Sequence, residues 1–232
     1  MIFITAHNNI VLESVLANAR NSILYKVSFE NRLCVLKVSR SFLLSDQEAF
    51  RDEYETMRLM NHPAFPKYYA YYPALSLPDL VKPVPAVLME YMDGIPFTSI
   101  QHLTIKQLKK YILDLGDALL ILLKSGVLYM DLHPGNLMLC NDRIRLIDFT
   151  KAYYYLTNPN PSYIPKISYQ IDQHLGGQQI LIQALTSLIL HLPDYFKTES
   201  FPASLIQLGL HPHSGISFAE FLDRIEKEWE TE

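Results

Sequence analysis

YMDLHPGNLMLCNDRIRLIDF, residues 129–149, places Asp131 and Asn136 in a turn-forming loop around Pro134-Gly135, and Asp148 at the end of an apolar strand, Ile144 to Ile147. A hairpin would bring these three polar groups together. Carboxylate and amide oxygens are the hard ligands that Mg²⁺ prefers, and a further carboxylate can accept a proton from, or orient, an attacking hydroxyl. Such a set suits phosphoryl transfer. Taken singly, Asp131 and Asn136 also read as ordinary turn residues and Asp148 as a strand-end cap.

The spacing Asp-x-x-x-x-Asn, followed twelve residues later by Asp148-Phe149, resembles the catalytic loop and metal-binding segment of the protein-kinase superfamily. The wording Asp131-Leu132-His133-Pro134-Gly135-Asn136 is similar to the bacterial or atypical Ser/Thr kinases of the aminoglycoside-phosphotransferase-like branch, where His often replaces Lys. The resemblance implies Asp131 as catalytic base and Asn136 and Asp148 as ligands of Mg²⁺, with ATP as phosphoryl donor.

The resemblance continues upstream. Lys37 stands mid-strand among apolar residues in Cys34-Val35-Leu36-Lys37-Val38, a costly place for a charge unless an anion meets it. Glu53, eight residues before Asn61-His62-Pro63, is at the position of the kinase helix glutamate and is expected to pair with Lys37, with Glu55 the alternative. Val87-Leu88-Met89-Glu90-Tyr91-Met92 is similar to the segment joining the two kinase lobes, so Met89 would border adenine and the main chain of Glu90 and Met92 would bind it. Asp172, with Gly177 five residues later, resembles the start of the central helix of the large lobe.

Working outward, the first part of the chain alternates in the manner of strands over Asn9 to Leu16, Ile23 to Phe29 and Leu33 to Val38. A helix is expected next, with Phe50, Tyr54, Met57 and Met60 as its inward stripe and His62-Pro63 as its stop. Two more strands follow, Lys67 to Tyr72 and Ala86 to Tyr91, separated by a Pro-rich loop. After Asp93-Gly94 the pattern turns helical, over Ile105 to Ser125, Ile180 to Leu192 and Ser217 to Trp229. The fold class expected is therefore α+β and kinase-like in two lobes: an N-terminal five-stranded antiparallel sheet with one helix over residues 1–92, and a mostly helical lobe over 93–232.

This chain departs from the family pattern at four places. Leu16-Ala17-Asn18-Ala19-Arg20-Asn21-Ser22 occupies the place of the glycine-rich phosphate loop, with Ala17, Asn18 and Ala19 nearest the expected phosphates. Glycine serves there by allowing φ > 0 and close backbone approach, and Ala adds a Cβ that resists both. Tyr129-Met130 replaces His-Arg, removing the Arg that would bind a phosphorylated activation loop, so switching through Thr150, Thr157, Ser162 or Ser168 is not expected. Thr150 replaces the Gly of Asp-Phe-Gly, which should stiffen the segment after Asp148. The Tyr- and Pro-rich stretch 151–169 lacks a clear Ala-Pro-Glu.

The favoured reading is an Mg-ATP-dependent Ser/Thr kinase with a protein substrate. The alternatives are a pseudokinase that binds a partner protein, and a small-molecule kinase. A net charge of −4 argues against a broadly basic nucleic-acid surface. Cys34 and Cys140, the only cysteines, read as small core hydrophobes and fit a reducing cytoplasm. The start shows neither the basic nor the long apolar region of a secretion signal, and no apolar run is long enough to insert in a membrane. A soluble, cytoplasmic protein is expected.

Overall fold

In the computed structural model, which describes residues 2–4, 9–41, 43–77, 81–150, 152–154, 176–192, 201–212 and 215–229, the alternating runs of the N-terminal region form strands as their period predicts. These are β1 (Ile2–Ile4), β2 (Asn9–Asn18), β3 (Ser22–Phe29), β4 (Arg32–Ser39), β5 (Tyr68–Leu75) and β6 (Val84–Glu90). They make one sheet in the order β1-β2-β3-β4-β6-β5, antiparallel at every step. The five expected strands are present, and β1 adds a sixth at the edge.

Phe29 pairs with Arg32, so the connection between β3 and β4 is only Glu30-Asn31. Both have left-handed backbone, φ 49° and 60°, the type I′ geometry whose twist matches a two-residue hairpin. Arg32, outside the run Leu33 to Val38 read as a strand, begins β4.

Along β4 the period of two sends Cys34, Leu36 and Val38 to one face, where they pack with Ile10, Val27, Ala86 and Leu88. Leu75, at the end of β5, and Leu77, just beyond it, join this core. Val35, Lys37 and Ser39 face the other side. There lies α1 (Leu44–Met57), whose buried residues are Phe50, Glu53, Thr56 and Met57. Tyr54 is only half-buried and the helix closes at Met57, leaving Met60 beyond its end. An acid therefore stands in the inward stripe, where the apolar pattern alone placed a tyrosine. Burial of Cys34 pushes its thiol up to about 11, and Cys140 is also a buried free thiol.

The chain divides into two compact units, Met1–Asp93 and Gly94–Glu232. The second contains β7 (Ile95–Pro96), α2 (Ile105–Lys124), β8 (Val127–Tyr129), β9 (Leu137–Cys140), β10 (Arg143–Leu146), β11 (Ala152–Tyr154), α3 (Gly177–Leu190), α4 (Ala203–Leu210) and α5 (Phe218–Glu228). Capping boxes start α2 at Thr104/Gln107 and α5 at Ser217/Glu220, each satisfying orphan backbone donors of the first turn. α3 is buried on nearly all sides, as its unbroken apolar run requires. Among the described residues no helix is long and apolar enough to cross a membrane.

Two small sheets carry the loop that opened the sequence reading: β10-β9-β7 and β11-β8. β9 and β10 meet through a second two-residue turn, Asn141-Asp142, with φ 51° and 58°. The Asp142 carboxylate accepts from Lys110 Nζ at 2.7 Å and from Tyr111 Oη at 2.6 Å, latching the hairpin to α2. The Lys110 ammonium, followed by the Tyr111 hydroxyl, lowers the pKa of that carboxyl.

α3 and α4 cross where Gly209 faces Thr186. A Cβ at position 209 would stand 2.7 Å from Thr186 Cβ and closer still to Oγ1, so no rotamer of Thr186 relieves both contacts. Gly209→Ala is expected to destabilise the protein by about 1–3 kcal/mol through overpacking. Urea unfolding measures this, and an unshifted midpoint would show that the two helices part at no cost.

Candidate functional site

Lys37 and Glu53 meet face to face inside the N-terminal unit. Lys37 Nζ lies 3.1 Å from Glu53 Oε1 and 2.9 Å from Oε2, with the residues only 3% and 1% exposed. Burial of either charge alone would cost several kcal/mol. Together, with both carboxylate oxygens on one ammonium, they are tolerated. Glu55, the alternative partner, instead takes Arg58 at the surface at 2.5 Å.

A third member was not read from the sequence. Tyr68 Oη donates to Glu53 Oε1 at 2.8 Å, from the strand β5 that also packs near α1. Its signal was faint, because Tyr68 is one of four tyrosines in Tyr68-Tyr69-Ala70-Tyr71-Tyr72 and only strand register tells which points at the acid. Tyr68→Phe should cost about 1.5–3 kcal/mol, the range for hydrogen bonds to charged groups. Equilibrium unfolding tests it; wild-type stability in the variant would mean the hydroxyl does not hold Glu53.

The other residues proposed for this unit fall on strand ends. Asn18 pairs with Ile23 and Ala17 with Leu24, while Ala19 N–H donates to Ser22 O at 3.0 Å, so the glycine-free stretch is a tight hairpin tip. Among the described residues the non-glycine positions with positive φ are Glu30, Asn31, Asn141, Asp142 and Asp148, and none lies in this tip. Alanine therefore meets no backbone strain there; only its Cβ bulk distinguishes it from glycine. Met89 and Met92 are buried. The Glu90 N–H donates to Lys67 O at 2.8 Å.

In the second unit, Pro134–Asn136 forms a single 3₁₀ turn, started by Pro, whose fixed φ suits the first helical position. His133 Nδ1 accepts from Gly135 N–H at 3.1 Å, which places the proton of the neutral ring on Nε2. Nε2 lies 3.8 Å from Asp131 Oδ2. Asn136 is 6% exposed, and its Nδ2 donates to Asp131 O at 2.9 Å and Oδ2 at 3.3 Å. This turns Asn136 Oδ1 away from Asp131.

Asn136 is also tied to the third group. Its carbonyl accepts from Ile147 N–H at 3.0 Å, one step beyond the Leu137–Leu146 pair that ends the β9–β10 ladder, and Asp148 follows directly. Asp148 has left-handed backbone, φ 59°, a conformation that Asp tolerates better than most residues but that still needs support from its surroundings. Tyr129 supplies part of it: its hydroxyl donates toward Ile147 O at 2.8 Å and Asp148 O at 3.1 Å, and its ring meets Phe149 edge-on at 5.2 Å. Tyr129, which stands in place of the family's histidine, is the brace of the Asp148 segment. Thr157, Ser162, Ser168 and Asp172 lie outside the described residues, as does the 151–169 stretch apart from the backbone of β11.

The donor set can be tested against Mg²⁺. Asn136 Oδ1 and the Asp148 carboxylate are hard oxygen donors on adjacent strand ends, and Mg²⁺ is commonly held by one or two such groups with phosphate and water oxygens completing the octahedron. Among the described residues no group of three or more His, Cys, Asp or Glu could hold a metal by itself. The residues fit a cation that arrives with phosphate.

Comparison with known proteins agrees in kind. Residues 24–169 match the protein kinase domain family. The chain is similar to the serine/threonine-protein kinase PknB of Mycobacterium tuberculosis (strain ATCC 25177 / H37Ra) and of Mycobacterium bovis, at 29% identity over 127 residues in each case. The protein of the same name from Mycolicibacterium smegmatis is also 29% identical over 127 residues. These matches cover 51% of this chain but 20% of each relative, so they compare one part of those longer proteins.

Proposed function

Since this chain belongs to the protein kinase domain family, we propose that it is a phosphotransferase that moves the γ-phosphate of ATP to a hydroxyl, with Ser/Thr side chains of a protein as the acceptors. The observation that carries this reading is the double role of Asn136, whose amide is bonded to Asp131 and whose carbonyl is bonded to the strand leading into Asp148. One residue thereby holds a base and a metal ligand in fixed relation.

In this reading Asp131 accepts or orients the proton of the acceptor hydroxyl, and His133 and Asn136 restrain its carboxylate. Asn136 Oδ1 and Asp148 would hold Mg²⁺, which when bound neutralises and orients the phosphates. Lys37, fixed by Glu53 and Tyr68, presents its ammonium to the phosphate oxygens. Met89 borders adenine, and the main chain of Glu90 and Met92 binds it. Ala17, Asn18 and Ala19 contribute backbone at the phosphates. In this reading the rate gain is one of positioning and electrostatics. The buried free thiols support a reducing, cytoplasmic setting.

The Cβ atoms at Ala17 and Ala19 motivate a second reading, a pseudokinase that binds a partner protein. Incubation with labelled ATP, Mg²⁺ and generic protein and small-molecule acceptors separates the two, with nucleotide-induced thermal shift measured alongside. Label on protein supports the proposal, and label on a small molecule redirects the acceptor class. A thermal shift without transfer favours the binding module. Absence of both removes the assignment.

A further inference from the structure

Thr150 stands where the resemblance places a glycine, and it is not a passive replacement. Its hydroxyl donates to Asp148 Oδ1 at 2.5 Å, and its N–H donates to the same oxygen at 3.2 Å. The second bond is an Asx-type turn that any residue at 150, glycine included, can make. The first requires a hydroxyl. Short O–H···O⁻ contacts of this kind are among the stronger protein hydrogen bonds, and the β-branch of Thr limits the rotamers from which the hydroxyl can be offered.

Tyr129 already holds the main chain here, through the carbonyls of Ile147 and Asp148. Tyr129 thus acts on the backbone of this segment, and the Thr150 hydroxyl acts on the rotation of the Asp148 side chain. We propose that Thr150 is a positioning residue that orients the Asp148 carboxylate for the Mg²⁺ that accompanies a nucleotide. The proposal rests on the kinase reading of Asp148. It also means that Thr150 cannot be grouped with Thr157, Ser162 and Ser168 as a dispensable hydroxyl.

The test compares wild type, Thr150→Val, which keeps the shape without the hydroxyl, and Thr150→Ser, which keeps the hydroxyl without the methyl. Each is titrated with Mg²⁺ at fixed ADP, reading the Mg²⁺ concentration at half-maximal thermal shift, with no turnover involved. Loss of an outer-shell partner commonly weakens metal binding by about 10–100-fold; Thr150→Val is expected to need at least about tenfold more Mg²⁺, and Thr150→Ser to stay within about twofold of wild type. Melting temperatures without nucleotide should be alike, because Thr150 is exposed. If valine does not yield folded protein, Thr150→Ala takes its place.

A valine variant that titrates like wild type overturns the proposal, as does a serine variant as weak as valine. Asp148→Asn separates the two levels. If it abolishes the Mg²⁺ dependence while Thr150→Val does not alter it, Thr150 alone loses its role; if wild type shows no Mg²⁺-dependent shift, or Asp148→Asn keeps it, the reading of Asp148 fails and takes the Thr150 proposal with it.

Discussion

Glu53→Ala is expected to lower the stability of the protein by about 3–5 kcal/mol, the usual consequence of leaving a buried charge without its partner. Lys37 is 3% exposed, and both carboxylate oxygens of Glu53 meet its ammonium. The Phe50 ring, 5.7 Å from Nζ, contributes far less than a carboxylate at such a distance. Tyr68 also loses Glu53 Oε1 as an acceptor. The variant should unfold at markedly lower denaturant, and the double variant Lys37→Met with Glu53→Leu should regain most of the loss, since apolar replacement of a whole buried pair is often neutral or better. If Glu53→Ala unfolds like wild type, the pair is not buried in solution. If the double variant is as unstable as the single one, the deficit lies in packing and not in charge. Because Lys37 is proposed to meet phosphate, the restored double variant should remain unable to bind nucleotide well, which separates folding from function at this position.

Asp131→Asn is expected to reduce phosphoryl transfer by about 10²–10⁴-fold, the contribution of a positioned general base. The substitution preserves shape, and the stronger of the two Asn136 bonds goes to the Asp131 main-chain carbonyl, so the turn Pro134–Asn136 should persist. Nucleotide-induced thermal shift should accordingly stay close to wild type while turnover collapses. Turnover within tenfold of wild type would remove Asp131 from the role of base. A lost thermal shift would instead show that the Asp131 carboxylate supports the loop structure, and the fall in rate could not then be ascribed to proton transfer.

Much of this was legible in residue order because it is local. A short turn between alternating runs and a Pro-Gly turn beside Asp131 and Asn136 depend on neighbours within about four positions. The five expected strands follow from the same short-range periodicity. β1, a three-residue strand, is too short for alternation to mark. Apolar periodicity puts Tyr54 in the inward stripe of α1, where the residue turned inward is Glu53, an acid whose burial depends on a lysine sixteen residues away.

By itself the sequence determined the α+β class, the kinase-like spacing of Lys37, Asp131, Asn136 and Asp148, and Glu53 ahead of Glu55 as the expected partner of Lys37. Only the tertiary structure shows why it is Glu53: residues two apart on a helix point about 200° away from each other, and the packing of α1 on the sheet turns Glu53 inward. It alone also showed Tyr68 on Glu53, Tyr129 beneath Asp148, and the Thr150 hydroxyl on the Asp148 carboxylate. The Tyr68 and Tyr129 contacts span fifteen or more residues, and the Thr150 contact, though local, requires the left-handed turn at Asp148. Side-chain direction depends on register, helix rotation and backbone torsion together, and residue spacing alone specifies none of the three.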